Sequence, residues 1–157
     1  MYRKALASAI VWSVCSLCAS AEAQSPKGAE MPTVWVRYIV SDVDAAIPFY
    51  TNYLGFRLDM HPAPGFAALS RGDLQLLLNT PKGGGGAGQA MPDGRVPAPG
   101  GWNRMQLRVE DLSATVERMR KAGLHFRNDL VNGNGGKQIL LEDPSGNPIE
   151  LFEAHQR

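Results

Sequence analysis

Apolar positions along the chain change period in a recurring order. Thr33 to Val40 is a run of β-branched and aromatic residues that predicts a strand. Ser41 to Asp44 has the form of a capping box, and Val43, Ile47, Tyr50 and Leu54 follow at spacings of four, three and four, which places them on one face of a helix that Gly55 ends. Short strand-like runs come next at Phe56 to Met60, Phe66 to Ser70 and Leu74 to Asn79, with Arg71-Gly72-Asp73 as a turn rather than an adhesion tripeptide. This half reads β-α-β-β-β.

From Trp102 the same order returns: a strand over Arg104 to Val109, a helix from Leu112 to Ala122, and strands near His125 to Leu130, Gln138 to Glu142 and Pro148 to Glu153. Val43, Ile47 and Tyr50 correspond to Leu112, Val116 and Met119 at an offset of 69. A unit that cannot bury its own apolar face is expected to pair with its copy. Between the copies, Pro81 to Gly101 holds four prolines and eight glycines without apolar periodicity and reads as a flexible linker or mobile loop. Lys82 precedes Gly83 to Gly86 instead of following them before a Ser or Thr, so the glycines do not make a phosphate loop. Pro48 interrupts the first helical pattern and predicts an irregularity there.

Composition changes the picture mainly at the N-terminus. Arg3 and Lys4, the apolar run Ala5 to Ala19 and Ala21-Glu22-Ala23 have the layout of a cleaved export signal, residues 1–23, followed by a short tail, 24–32. The run is shorter than the ~20 apolar residues a spanning helix needs. The expectation is an exported, periplasmic or secreted protein with no membrane association after signal removal. Cys15 and Cys18 both leave with the signal and lack the small-residue pattern of a lipoprotein, so no disulfide, thiolate metal site or cysteine nucleophile is expected. Taking Arg3, Lys4 and Glu22 from 16 basic and 15 acidic residues leaves 14 of each. A neutral chain carries no electrostatic footprint for nucleic acid, and the expected partners are a small molecule and a second copy in a homodimer.

Two stretches carry a resemblance. Val40 to Tyr50 with Tyr53-Leu54-Gly55-Phe56, and Glu142-Asp143-Pro144-Ser145-Gly146-Asn147-Pro148-Ile149-Glu150-Leu151, resemble the first-helix and C-terminal hairpin signatures of the vicinal oxygen chelate superfamily, which includes glyoxalases, bleomycin resistance proteins and extradiol dioxygenases. The resemblance implies an α+β fold over residues 33–154, with paired βαβββ modules (33–80 and 102–154, joined by 81–101) curling into a cup-shaped, mostly antiparallel sheet with helices outside. In metal-dependent members one ligand lies on the first strand of each half, seven residues before the helix-capping aspartate, and another lies on each last strand. Carried onto this chain, those positions read Trp35, Leu76, Arg104 and Glu150. Only Glu150 is a ligand type, because an indole, an alkyl group and a guanidinium offer a cation no lone pair. His61, His125 and His155 fall on none of these positions.

Strand alternation extends the cup to Arg37, Gln106, Arg108 and Phe152 beside Trp35, Leu76, Arg104 and Glu150. An Arg104–Glu150 ion pair could occupy the centre where other members hold a metal. An aromatic wall, an apolar floor and three arginines suit a small anionic or carbonyl-rich organic ligand bound without a divalent metal or other cofactor. The alternatives are a glyoxalase-like lyase, isomerase or dioxygenase, in which Glu150 would act as base or metal ligand, and a non-catalytic interaction module.

Overall fold

A computed structural model describes residues 34–83 and 86–155. The expected signal and tail lie outside these residues, as do Gly84 and Gly85. The first half runs β1 (Val34–Ile39), α1 (Val43–Leu54), β2 (Arg57–Ala63), β3 (Phe66–Arg71) and β4 (Leu74–Asn79). The second runs β5 (Met105–Arg108), α2 (Leu112–Lys121), β6 (Val131–Gly133), β7 (Gly136–Glu142) and β8 (Pro148–Ala154). Each half forms an open four-stranded sheet, ordered β1-β4-β3-β2 and β5-β8-β7-β6, in which only the pairs β1-β4 and β5-β8 are parallel.

The helices start where their capping aspartates allow. Asp42 accepts from the Ala45 amide (3.1 Å) and Asp111 from the Ala114 amide (2.9 Å), each satisfying an amide with no partner inside the helix. Helix α1 ends at Gly55, whose φ of 68° is left-handed and whose amide returns to the Tyr50 carbonyl. The expected irregularity at Pro48 is not found, since α1 is continuous from Val43 to Leu54. Pro48 is exposed, as is Asp44, whose carbonyl loses its helical donor to the proline.

One apolar core joins the halves. Val40, Val43, Tyr50 and Leu78 from the first pack in a single cluster with Leu112, Met119, Ile139 and Leu151 from the second. Each such side chain contributes about 1.5–3 kcal/mol by leaving water. Buried polar bonds cross the same seam. The Tyr38 hydroxyl donates to the Pro148 carbonyl (2.9 Å) and accepts from the Met105 amide (3.0 Å). The Tyr50 hydroxyl donates to Asp143 Oδ2 (2.9 Å), while Asp143 Oδ1 accepts from the amides of Ser145 (2.8 Å) and Asn147 (2.9 Å). Asn147 Nδ2 also donates to the Ile39 carbonyl (2.9 Å). The polar residues of the hairpin signature thus tie module to module.

Two elements depart from expectation. The strand expected over His125 to Leu130 is reduced to one bridge, Phe126 to Leu141, and the edge strand β6 begins only at Val131. The side chain of Asn128 takes the Leu140 amide (2.9 Å), replacing a ladder bond that a neighbouring strand would have supplied. Within the glycine-rich segment, Gly86–Gly88 forms a 3₁₀ turn.

Candidate functional site

Residues paired across a sheet share a face, so the registers decide which side chains line the face away from the core, the concave face of the expected cup. On the first sheet Trp35 pairs with Gln75, Arg37 with Leu77 and Ile39 with Asn79. Leu77 is in turn opposite Ala68, and Ala68 opposite Met60. Leu76 sits on the other face: it pairs with Val36 and is wholly buried in the core. Its expected place in the cup is therefore corrected to Leu77. The error comes from the turns, since Arg71 and Leu74 flank a two-residue hairpin whereas Glu142 and Pro148 flank five residues. Matching the turns slips the register by one, which sends every side chain to the opposite face.

On the second sheet the expected alternation holds. Gln106 pairs with Glu150 and Arg108 with Phe152 on the concave face, while Met105, Leu107, Ile149 and Leu151 enter the core. The structure brings Arg104, Gln106 and Glu150 together. Arg104 Nε donates to Glu150 Oε2 (2.8 Å), Gln106 Nε2 donates to Glu150 Oε1 (2.6 Å), and Arg104 Nη1 also reaches the Trp102 carbonyl (3.2 Å). Glu150 is 6 % exposed. Burial pushes its carboxyl pKa up, but the Gln106 hydrogen bond and the Arg104 bond and charge outweigh burial and hold it below the usual carboxylate range. Phe152 is half-buried on the same face, and Arg108 is exposed beside it.

The remaining expected residues, Trp35 and Arg37, lie on the first sheet, in a separate setting. Arg37 Nη1 donates to Asn79 Oδ1, and Asn79 is 1 % exposed. Among the described residues no Asp or Glu pairs with Arg37. Arg37 and Asn79 line a pocket of about 380 Å³ with Pro62, Ala63, Phe66 and Ala87, all from the first half and the segment after it. Asn79 was not anticipated, although it stands two residues beyond Leu77 and shares its face. Ala87 carried no signal, because nothing in the composition of a glycine-rich stretch tells where it folds back.

The corrected four positions, Trp35, Leu77, Arg104 and Glu150, do not fit a divalent ion. Three offer no lone pair, and both oxygens of the fourth already accept hydrogen bonds. Among the described residues no three of His, Cys, Asp and Glu are grouped as a metal site would require. His125 instead meets Glu142 (2.6 Å), a carboxylate that Arg127 also holds, and His155 meets the Gly133 carbonyl (3.1 Å).

Comparison with known proteins decides the family. The model of the glyoxalase/bleomycin resistance protein/dioxygenase superfamily matches residues 33–151. The chain belongs to this superfamily. Among curated proteins it is 26% identical over 129 residues to "Putative glyoxylase CFP32" of Mycobacterium bovis and Mycobacterium tuberculosis, covering 78% of this chain but 45% of theirs, so it spans less than half the length of those relatives. Among solved structures it resembles a lactoylglutathione lyase from Agrobacterium tumefaciens (TM-score 0.60, 22% identity, 82% of this chain and 96% of that one). It also resembles TnmS3, an antibiotic binding protein from Streptomyces sp. CB03234 (TM-score 0.59, 23% identity, 83% of this chain and 100% of that one). At these identities the two structures show a shared fold.

Proposed function

We propose that this protein binds a small anionic or carbonyl-rich organic molecule on its concave face without the divalent metal of the superfamily's enzymes. The observation that carries the reading is the state of Glu150: the single carboxylate at the metal positions is already ion-paired with Arg104 and hydrogen-bonded by Gln106. Arg37, by contrast, faces a pocket with no carboxylate partner among the described residues. A guanidinium fixed in a largely apolar recess is a seat for an anionic group. The likeness to an antibiotic binding protein supports a binding role, since one fold can serve binding and catalysis alike.

In this reading the protein is exported, on the strength of the N-terminal pattern, and acts as a homodimer. The concave faces expose Trp35 (55 %), Met60 (54 %) and Val131 (46 %), which a second copy would cover while closing the recess. The name of the mycobacterial relative and the likeness to a lyase favour a second reading, a glyoxalase-like enzyme with Glu150 as base or ligand. That reading requires a carboxylate released from the two donors that hold it.

Thermal unfolding in the presence of small carboxylates, thiols and aromatic drugs tests the proposal. At least one anionic or carbonyl-rich compound is expected to stabilise the protein, by about 2.7 kcal/mol at a hundredfold excess over Kd. The double variant Arg37→Ala, Arg104→Ala should lose that stabilisation, and Arg118→Ala on the helix side should keep it. A panel without a stabilising compound, or binding that survives the double variant, would contradict the proposal.

A further inference from the structure

We propose that the Gly86–Gly88 turn is a wall of the binding site, and that the pocket it borders takes a small arylcarboxylate with its carboxylate on Arg37 and its ring against Phe66. The inference rests on the concave-face reading above and assigns the ligand's seat and chemical class within it. The pocket's volume of about 380 Å³ is at the small end of the range for organic ligands. Its sides are Pro62 and Ala63 from β2, Phe66 from β3, and Gly86 with Ala87 from the 3₁₀ turn. Polar groups enter at one place, where the buried Asn79 amide oxygen holds one arm of the Arg37 guanidinium. An arginine fork held on one side presents its other N–H groups in a geometry that matches a carboxylate's two oxygens. Among the described lining residues Arg37 is the single cation, which suits a monoanion rather than a phosphoryl group.

The wall is built rather than draped. The Thr80 amide donates to the Gly65 carbonyl (3.1 Å), the Gly83 amide to the Thr80 carbonyl (3.0 Å) and the Lys82 amide to the Gly88 carbonyl (2.6 Å). A Cβ on Gly88 would stand 2.5 Å from the Thr80 carbonyl oxygen, and one on Gly83 would stand 2.9 Å from the carbonyl oxygens of both Gly65 and Thr80. Side chains are therefore excluded at both positions by close backbone approach. This knot sets where Ala87 stands over the pocket, and with it the room left for a ring.

Calorimetric titration with phenylacetate, 3-phenylpropanoate and the neutral phenylacetamide tests the inference on the full chain, with Arg37→Gln, Arg104→Ala, Arg118→Ala and Ala87→Leu. At least one of the two acids should bind, with Kd raised about tenfold or more in Arg37→Gln, and phenylacetamide should be weaker by a similar factor. Arg118→Ala, on the helix side, should stay within about twofold of the wild type, and Arg104→Ala, on the other sheet, should raise Kd less than Arg37→Gln does. Ala87→Leu leaves the guanidinium in place and should abolish binding by filling the pocket, which keeps the test open if Arg37→Gln folds poorly. Equal affinity for acid and amide, or unchanged binding in Arg37→Gln or Ala87→Leu, would overturn the inference. Loss in Arg104→Ala alone would also overturn it, yet would leave the concave-face reading standing with the ligand on the second sheet. Failure of both acids to bind refutes the arylcarboxylate pocket, and the wider compound panel then decides the concave-face reading by itself.

Discussion

Glu150 illustrates what single residues settle. A carboxylate nearly removed from water is tolerated because two donors meet it, one of them charged. Its pKa lies below the ordinary value of 4.5 in the native state. A depressed native pKa contributes stability that is present above the unfolded-state value and is lost as pH falls through the native one. Glu150→Gln should therefore flatten the decline in stability below about pH 5, measured by denaturant unfolding across an acid series. The decline should persist in part, because Glu142, held by Arg127 and despite its own desolvation also by His125, is depressed in the same sense. An unaltered acid slope would show that Glu150 is not engaged as described. The partnership of Arg104 with Glu150 was legible in the sequence through the seven-residue count from Asp111 and the hairpin motif. Leu77 and Asn79 were not, because their face depends on a turn length that a motif match does not reveal.

Elements were legible where periodicity was long or punctuation was strong. Helix α1 begins after Asp42 and stops at Gly55, and β4 spans Leu74–Asn79, all as the pattern indicates. The edge strand β6 was misplaced because 125–130 has strand composition while Arg127, Asn128 and His125 spend their side chains on the hairpin beside it. The glycine-rich segment misled in the other direction, since a composition that reads as a flexible tether also suits a turn in which backbones nearly touch. Gly88→Ala should force that turn apart, lowering stability by about 1–3 kcal/mol and exposing the chain around Gly83 and Gly88 to limited proteolysis. A wild-type melting temperature with an unchanged cleavage pattern would mean that the segment is loose after all.

At the scale of the molecule, the repeat explains both the stability and the freedom of the site. Each half offers one apolar face to a common core, with Tyr38, Tyr50, Asp143 and Asn147 crossing the seam, and this fixes both sheets while leaving their concave faces available. The family is written in residues that build this frame, which is why the fold was readable from two short signatures. The ligand is not written there, because one frame can host many sites and the ligand depends on a few concave side chains outside those signatures. Metal content tests the binding site most directly. Protein purified without tag or chelator, analysed for bound metal and then melted with added zinc, nickel, manganese or iron(II), should contain well under one divalent ion per chain and gain no stability. One tightly held ion per chain that raises the melting temperature, and is lost in Glu150→Ala, would contradict a metal-free site.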